Sequence, residues 1–322
     1  MFEFCRLILK KPRSYEVFFS SFLSYPCYNY YLFHNFVIIS NKNILILAEI
    51  ECMKQIALIS GASSGIGKET TKLLLQKGYI VYGAARNIDK MHDILSLGAK
   101  ILTMDVSDDA SMCKGIDEII QTEGRIDVLI NNAGFGFFGS VEDVSMSDAK
   151  YQMEVNVFGL ARLTQLVLPY MRWQHYGKIV NISSIAGKVC MPFGAWYHAS
   201  KFAVEGLSNS LRMDVKSFGI DVIVIEPGSI KSEWGHIAME NLRKVSKGGA
   251  YGDTAKKMSD KFPKFEANNA KPSVIANLIL KAITAKNPKT RYSGGYLAGL
   301  SLIGHKILPD KLLDKIMMKI FQ

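Results

Sequence analysis

The chain has 322 residues, of which 48% are hydrophobic and 21% are charged, a composition typical of a globular protein with a full apolar core. The formal net charge is +10, but the sequence contains no run of five basic residues and no nucleic-acid-binding motif, which argues against a nucleic-acid partner. The five cysteines form no CxxC pair, so the sequence predicts no metal site and no disulfide framework.

The first 52 residues differ in composition from the rest. They contain no Gly and no Asp but seven Phe and five Tyr, whereas all 26 glycines follow. Pro26 and Asn29 interrupt their apolar part, so neither a signal peptide nor a membrane span is predicted. Three interpretations stay open for 1–52: residues upstream of a true start at Met53, a weak membrane anchor, or a folded module.

The segment after Met53 alternates short apolar runs with helical patterns. Six runs read as strands, at 54–60, 79–86, 99–106, 126–134, 177–184 and 220–228, and helical periodicity lies between them. The runs are continuously apolar, which indicates strands buried on both faces of a parallel sheet. We therefore predict an α/β fold, a doubly wound parallel sheet of the Rossmann type, in a single domain covering 53–322.

The pattern loosens after Gly228. Residues 229–271 are polar and mixed, without regular apolar periodicity, and predict a substrate lid. A helix at 273–285, a short strand at 290–295 and an amphipathic helix at 309–321 follow. We expect the apolar residues of that last helix to pack on the core or a partner subunit, with a membrane surface as the alternative; they are Leu312, Leu313, Ile316 and Ile320.

A glycine cluster, GASSGIG, stands where the first strand turns into the first helix. Gly61, Gly65 and Gly67 would let the backbone turn tightly and approach a pyrophosphate. The start of the helix supplies free N–H groups and a partial positive charge, and Ser63 and Ser64 add hydroxyl donors. This arrangement predicts a dinucleotide site.

Tyr197 and Lys201 lie four residues apart on a predicted helix, so their side chains share one face. A free tyrosine has a pKa near 10 and is a poor acid–base catalyst at neutral pH. A neighbouring ammonium group favours the phenolate, so we expect Lys201 to lower the pKa of Tyr197. The pair would then exchange a proton with a carbonyl or alcohol oxygen.

The order of the motifs GASSGIG, NNAG at 131–134, SS at 183–184 and Tyr197–Lys201 resembles that of the short-chain dehydrogenase/reductase family, over about 54–322. The segment PGSIKSEW and the C-terminal sequence resemble the 17β-hydroxysteroid dehydrogenase-like branch. The resemblance implies that Ser184, Tyr197, Lys201 and Asn156 are catalytic. Ser184 would hold the substrate oxygen, and Asn156 would hold a water for proton relay.

The same resemblance implies a shell of cofactor-binding residues. Asp105 would accept a hydrogen bond from the adenine amine and Val106 would pack on the ring, while Pro227 and Gly228 would flank the nicotinamide. The full predicted shell is Gly61, Ser63, Ser64, Gly65, Ile66, Gly67, Arg86, Asp105, Val106, Asn132, Ala133, Gly134, Tyr197, Lys201, Pro227, Gly228 and Ile230.

The end of the second strand predicts the cofactor. NAD-preferring enzymes of this build place a carboxylate there to bind both ribose hydroxyls. This chain has Ala85 at that place and Arg86 after it, and Arg86 offers a charged planar fork to a 2′-phosphate. The sequence therefore predicts NADP(H).

Four neighbouring residues have other expected roles. His198 points about 100° away from Tyr197 on the helix, so we expect a structural residue or one at the substrate rim. Ser183 is expected to be a strand-end hydroxyl rather than a catalyst. Trp234 is expected to form a wall of the substrate pocket, and for Trp196 core packing is an equal alternative.

We predict an NADP(H)-dependent oxidoreductase that interconverts a ketone or aldehyde and an alcohol on a small lipophilic substrate. The alternatives are a 3-oxoacyl-[acyl-carrier-protein] reductase, a non-catalytic NADP-sensing protein, and an epimerase or dehydratase. The four catalytic candidates argue against a sensor, which does not need them all. The resemblance implies a homodimer or homotetramer, and the odd cysteine count favours a cytoplasmic location.

Overall fold

The structure is a computed structural model that describes residues 31–33, 50–52 and 54–321. The chain divides into two compact units, Met1–Lys54 and Gln55–Gln322. In the first unit, β1 (Tyr31–Phe33) pairs antiparallel with β2 (Ile50–Cys52). The alternatives for 1–52 otherwise concern residues that lie outside the described part and stay predictions.

The second unit is built on a seven-stranded parallel sheet. Its strand order is β5-β4-β3-β6-β7-β8-β9, and every neighbouring pair is parallel. The chain therefore runs outward from β3 to β5 and returns to β6 on the other side of β3, which leaves a crevice at the carboxyl ends of β3 and β6. This order confirms the predicted doubly wound α/β fold. The strands are β3 (Ile56–Ser60), β4 (Ile80–Ala85), β5 (Lys100–Thr103), β6 (Val128–Asn131), β7 (Gly177–Ile182), β8 (Ile220–Pro227) and β9 (Arg291–Gly294).

Eleven α-helices are found in the part of the chain that the structure describes. They are α1 (Gly65–Gln76), α2 (His92–Ser96), α3 (Asp109–Glu123), α4 (Met146–Met153), α5 (Leu160–Gln174), α6 (Ala195–Asp214), α7 (Glu233–Val245), α8 (Gly252–Glu266), α9 (Pro272–Thr284), α10 (Ala298–Ile307) and α11 (Asp310–Phe321). A π-helical segment, Glu154–Gly159, joins α4 to α5.

Successive strand residues enter two separate cores, one on each face of the sheet. Leu58 and Leu129 belong to the core on one face, and Ile59 and Ile130 to the core on the other. Each such side chain contributes about 1.5–3 kcal/mol when fully buried. Because both faces are covered, the strands need apolar residues at consecutive positions, which explains their continuous runs.

The segment 229–271 is more regular than the sequence pattern suggested, since it contains α7 and α8. In α7 the buried face is made by Ala238, Met239 and Leu242, and in α8 Ala255 and Met258 are buried. These faces rely on small or flexible apolar side chains, so the apolar periodicity is weak and was missed. The helix α10 was missed as well, because Gly299 and Gly304 interrupt its pattern.

The last helix corrects a prediction. Leu312, Ile316 and Ile320 of α11 are exposed to solvent, and Leu313 is half-buried. Packing on the core is therefore wrong for the three exposed residues, and packing on a partner subunit or a membrane surface stays a prediction. Within the described residues, no helix combines the length and the apolar character needed to cross a membrane.

Candidate functional site

The glycine turn between β3 and α1 is shaped by contacts that exclude side chains. Gly61 has φ +69° and Gly65 has φ +53°, a backbone region that favours glycine. A β-carbon on Gly67 would lie 2.3 Å from the carbonyl oxygen of Gly61. The turn therefore packs α1 closely on β3 and keeps its backbone free of side chains, as a pyrophosphate cradle requires.

A cavity of about 640 Å³ opens at this turn. Ser63, Ser64 and Gly65 line one side, and residues of the segment 229–271 line the other. Ser64 is the N-cap of α1, but its side chain makes no capping hydrogen bond. The lining also includes four lysines, Lys68, Lys90, Lys231 and Lys271, and two glutamates, Glu69 and Glu233. Free helix N–H groups beside several ammonium groups suit a phosphate ligand.

The NNAG motif is tied to the same turn. The side-chain amide of Asn132 donates to the carbonyl oxygens of Ser60 (3.0 Å) and Gly61 (3.1 Å). The backbone N–H of Ala133 donates to the Ser60 hydroxyl at 3.1 Å. These contacts hold the ends of β3 and β6 together and bring Asn132 and Ala133 beside the glycine turn.

The residues predicted to bind the adenosine half of the dinucleotide lie at the ends of β4 and β5. Asp105 accepts hydrogen bonds from the backbone N–H (2.9 Å) and the hydroxyl (2.7 Å) of Ser107. Val106 is buried, and its carbonyl oxygen lies 2.2 Å from the place a β-carbon would take on Gly159. Arg86 is exposed and donates to the Tyr151 hydroxyl at 2.8 Å. The guanidinium of Arg86 is thus oriented at the rim of the crevice.

Ser184, Tyr197 and Lys201 meet below the crevice. The Ser184 hydroxyl donates to the Pro227 carbonyl oxygen at 3.4 Å and lies near enough to Tyr197 to lower the pKa of its hydroxyl. The Lys201 ammonium lies 5.8 Å from the centre of the Tyr197 ring and donates to the carbonyl oxygen of Ile182 at 2.9 Å. Tyr197 is 8% exposed and Lys201 is 7% exposed. The structure therefore brings together three of the four predicted catalytic residues in a dry environment.

The protonation of this pair differs from the expectation. Burial raises the pKa of Tyr197 to about 12, and the hydrogen bond from Ser184 opposes that rise. Burial also lowers the pKa of Lys201 to about 8, which the carboxylate of Glu205 opposes. The expected lowering of the Tyr197 pKa is wrong for this structure, because desolvation of the phenolate outweighs every other influence.

The fourth candidate, Asn156, lies in the π-helical segment and is 1% exposed. Its side-chain amide donates to the Phe135 carbonyl oxygen (2.9 Å) and the Ser200 hydroxyl (3.0 Å), and its oxygen accepts from the Phe135 N–H (3.0 Å). A β-carbon on Gly134 would lie 3.1 Å from the Asn156 side-chain oxygen and 3.8 Å from the Lys201 ammonium nitrogen. Asn156 therefore adjoins Lys201, and it also fixes the loop after β6.

The residues predicted to flank the nicotinamide lie at the end of β8. Gly228 donates to the Gly294 carbonyl oxygen at 2.8 Å, and a β-carbon on Gly228 would lie 2.3 Å from the carbonyl oxygen of Tyr296. The Pro227 carbonyl oxygen accepts from the Ser184 hydroxyl at 3.4 Å. Ile230 bridges to Ala270. The end of β8 is thus held next to Ser184.

An apolar cluster covers Tyr197. The Trp234 ring lies 4.9 Å from the Tyr197 ring, centre to centre, and Phe138 lies 5.9 Å from it. The other members are Ala186, Ala238, Met239, Leu242, Ala255 and Met258, with Met191, Phe193 and Phe262 packed against them. Trp234 packs against Tyr197, and its expected role as a wall of the substrate pocket stays a prediction, whereas Trp196 does not belong to this cluster. Phe138 and the methionines were not predicted, because nothing in their local sequence distinguishes them from core residues.

His198 has a structural role. Its Nδ1 lies 2.9 Å from the Ala186 carbonyl oxygen, and its Nε2 accepts from the Met191 N–H at 3.0 Å. Since a carbonyl oxygen can only accept, the ring is the neutral tautomer with the proton on Nδ1. Burial lowers its pKa, which keeps it neutral. The ring therefore fixes the loop 186–191 beside Tyr197.

A buried ionic cluster lies one helical turn beyond Lys201, and sequence analysis missed it. Glu205 accepts from Arg291 at 2.9 Å and from Lys188 at 3.1 Å, and Arg291 also lies 3.4 Å from Glu226. The cluster joins α6, β8, β9 and the loop after β7. The spacing of Glu205 four residues after Lys201 was the available signal.

Comparisons with known proteins find similar chains. A family model described as short chain dehydrogenase matches residues 55–242. A 3-ketodihydrosphingosine reductase of Bacteroides thetaiotaomicron is 37% identical, over 81% of this chain and 95% of that protein. An NADPH-dependent 3-dehydrocapnine reductase of Ornithobacterium rhinotracheale is 32% identical, over 82% and 96%. The crystal structure of a short-chain dehydrogenase from Streptomyces avermitilis is 30% identical with a TM-score of 0.69, over 80% of this chain and 93% of that one.

Proposed function

The chain belongs to the short-chain dehydrogenase family, and we propose that it is an NADPH-dependent reductase that converts the 3-keto group of a long-chain amphiphile to a hydroxyl group. Membership makes it an NAD(P)-dependent oxidoreductase acting on a carbonyl or alcohol group. The choice of NADPH, the substrate class and the residue roles below are the proposal. The narrower 17β-hydroxysteroid dehydrogenase-like branch stays a prediction.

The observation that carries the substrate class is the apolar cluster in which Tyr197 is buried. Aromatic rings and thioethers pack with Tyr197 in this cluster, among them Phe138, Trp234 and Met239. A substrate whose carbonyl reaches Tyr197 would bury its adjoining carbon chain against them. Two relatives carry names that specify reduction at carbon 3, and dihydrosphingosine is a long-chain amino alcohol, which fits this lining.

In the proposed mechanism Tyr197 gives its proton to the carbonyl oxygen of the substrate. With its pKa raised to about 12, Tyr197 holds its proton at neutral pH but is a weak acid, so proton transfer depends on stabilisation of the phenolate that remains. Ser184 would hold the same oxygen as negative charge develops on it. Lys201, while charged, would stabilise the phenolate left on Tyr197. The nicotinamide, when bound, supplies the hydride for the carbonyl carbon.

The residues present fit such a cofactor. The side-chain-free turn at Gly61 and Gly67 would hold the pyrophosphate with the N–H groups of α1, and Ser63, Ser64, Gly65 and Ile66 belong to the same turn. We assign the adenosine half to Arg86, Asp105 and Val106. The nicotinamide half is assigned to Asn132, Ala133, Gly134, Lys201, Pro227, Gly228 and Ile230. Asn156 is assigned to proton supply through the π-helical segment, a class of helix defect frequent at functional sites.

The test measures the consumption of NADPH by absorbance with three ketones. They are 3-ketodihydrosphingosine, a water-soluble short 3-oxo ester and a 3-oxoacyl group on acyl carrier protein. We expect turnover of 3-ketodihydrosphingosine with a kcat/KM well above that for a water-soluble short 3-oxo ester. The Tyr197→Phe variant should lose about 10²- to 10⁴-fold in kcat while it still binds NADPH. Preferred turnover of a 3-oxoacyl group on acyl carrier protein would contradict the proposed substrate, and unchanged turnover in Tyr197→Phe would contradict the mechanism.

A further inference from the structure

The two C-terminal helices expose an unusual amount of apolar surface. In α10, Leu300, Ile303 and Ile307 are 69%, 58% and 70% exposed. They fall within one narrow stripe of the helix, since they lie three, four and seven residues apart. A solvent-facing stripe of three large aliphatic side chains is costly in water and indicates a surface that another phase or molecule covers.

The helix α11 also exposes an apolar row, and rows of other residues flank it on each side. Leu312, Ile316 and Ile320, spaced by four residues, form an exposed apolar row. On one side of it, Leu313 and Met317 are half-buried against the protein. On the other side stands a row of exposed lysines, Lys311, Lys315 and Lys319. The apolar row is thus bordered by the body of the protein and by positive charge.

The acidic residues of α11 lie away from the line where the apolar row meets the lysine row. Asp310 and Asp314 lie on the row opposite the apolar one, because residues two positions apart are about 200° apart around a helix. The separation of the lysines from the aspartates helps to decide whether a lipid surface or a protein covers the apolar row. Lysines with long apolar stems beside an apolar row suit an anionic lipid surface, where the stems lie along the acyl region and the ammonium groups meet the headgroups. Protein interfaces are depleted in lysine.

The position of α11 connects this surface with the candidate active site. The helix contacts α10 and α8, and α8 contributes Met258 and Phe262 to the cluster around Tyr197. The helix α10 also contacts Ile185–Gly187, where the loop that carries Met191 and Phe193 begins. The apolar rows of α10 and α11 therefore adjoin the elements that enclose the apolar cluster around Tyr197.

We propose that α10 and α11 form a docking surface for an anionic lipid bilayer, on which the protein lies without crossing it. The surface would place the apolar cluster beside the phase in which a long-chain ketone dissolves. This benefit rests on the proposed function, whereas the docking itself rests only on the exposed rows and the lysines. The apolar face supplies most of the affinity, and the lysines supply the preference for negative headgroups.

The test is flotation of the full chain with lipid vesicles. We expect the parent protein to bind vesicles of phosphatidylcholine and phosphatidylglycerol more strongly than vesicles of phosphatidylcholine alone. Ile316→Glu should reduce the partition constant by at least roughly tenfold, because it loses a buried aliphatic group and adds a charge. The double variant Lys315→Gln and Lys319→Gln should lose about fivefold per lysine on anionic vesicles only.

Leu97→Glu is the matched control, since Leu97 is 57% exposed after α2, outside the proposed surface. It should float like the parent. Equal flotation of the parent and Ile316→Glu, or no flotation at all, would overturn the proposal. So would a parent dimer that Ile316→Glu converts to a monomer without any vesicle binding, which would identify a second copy as the occupant. NADPH-dependent reduction of a water-soluble ketone without vesicles reports the proposed function separately.

Discussion

Two adjacent serines at the end of β7 differ in what their side chains contact. The Ser184 hydroxyl donates to the Pro227 carbonyl oxygen and lowers the pKa of Tyr197, whereas the buried Ser183 hydroxyl has no hydrogen-bond partner among the described residues. Ser184→Ala should lower kcat by about 10²-fold or more, because a donor aimed at the developing oxyanion is lost. Ser183→Ala is the matched control and should retain activity. The measurement is kcat with NADPH for both variants. Equal losses of kcat would contradict the assignment of Ser184 as the donor to the substrate oxygen.

Arg86 is the residue that should select the cofactor. It stands at the end of β4 after a small residue, Ala85, and its guanidinium is exposed and oriented by Tyr151. Losing a charge-assisted phosphate contact costs about 1.5–3 kcal/mol, or roughly ten- to a hundredfold in affinity. Arg86→Ala should therefore weaken NADPH by that factor and leave NADH nearly unchanged.

Ala85→Asp complements that variant, because a carboxylate at this place would bind the ribose hydroxyls and repel a 2′-phosphate. We expect its preference to move toward NADH. The measurement is kcat/KM for both cofactors in the parent and the two variants. A parent that prefers NADH, or an Arg86→Ala variant that loses both cofactors equally, would show that the end of β4 does not select NADPH.

The charge of Lys201 should set the alkaline limit of activity. Below its pKa of about 8 the residue is charged and can stabilise the Tyr197 phenolate; as the pH rises through that value the charge is lost. The kcat/KM for NADPH, which reports free-enzyme ionisations, should therefore fall above about pH 8. Glu205→Gln should move this fall to lower pH, since the Glu205 carboxylate raises the pKa of Lys201.

Glu226→Gln provides the control for that shift. Glu226 belongs to the same buried ionic cluster and contacts Arg291, but it does not contribute to the pKa of Lys201. If Glu205 acted only through the stability of the cluster, both variants would lower the melting temperature and leave the pH limit in place. A shift of the limit confined to Glu205→Gln separates the electrostatic role from the structural one.

At the scale of elements, α7 and α8 form the proposed lid. They hold Trp234 over Tyr197, and on the outer side Glu233 reaches Lys90 at 3.3 Å through an exposed ion pair of the kind worth less than about 1 kcal/mol. Beyond the apolar cluster that α7 and α8 share with Tyr197, this surface contact offers little resistance to opening. We expect hydrogen exchange of both helices to slow only when NADPH and substrate are bound together, while α9, packed on the sheet, does not change. Equal protection without ligands would indicate a fixed element.

At the scale of the whole molecule, residues 55–322 contain the entire seven-stranded sheet, every candidate site residue and the matched family segment. We therefore expect a chain that starts at Met53 to keep its melting temperature, its affinity for NADPH and its activity. Thermal unfolding and NADPH titration of both chains provide the comparison. Precipitation or lost cofactor binding in the shorter chain would show that 1–52 contributes to the fold.

The sequence by itself determined the sheet, the glycine turn and the Tyr197–Lys201 pair. Each of these depends on local order: continuous apolar runs for β3 to β8, glycines at fixed spacing between a strand and a helix, and two side chains one helical turn apart. Such patterns are visible without knowledge of distant contacts, so the positions of these residues were predictable.

Tertiary structure decided the features that depend on burial. The pKa of Tyr197 rises instead of falling because the residue is buried, in a cluster with Phe138, Trp234 and Met239, which are distant in sequence. Glu205 meets Arg291 only because β9 pairs with β8 beside α6. The apolar side of α11 could equally have been covered by the core; only its place at the edge of the fold leaves Leu312 and Ile316 exposed. Burial is a property of packing between distant segments, which local sequence patterns do not contain.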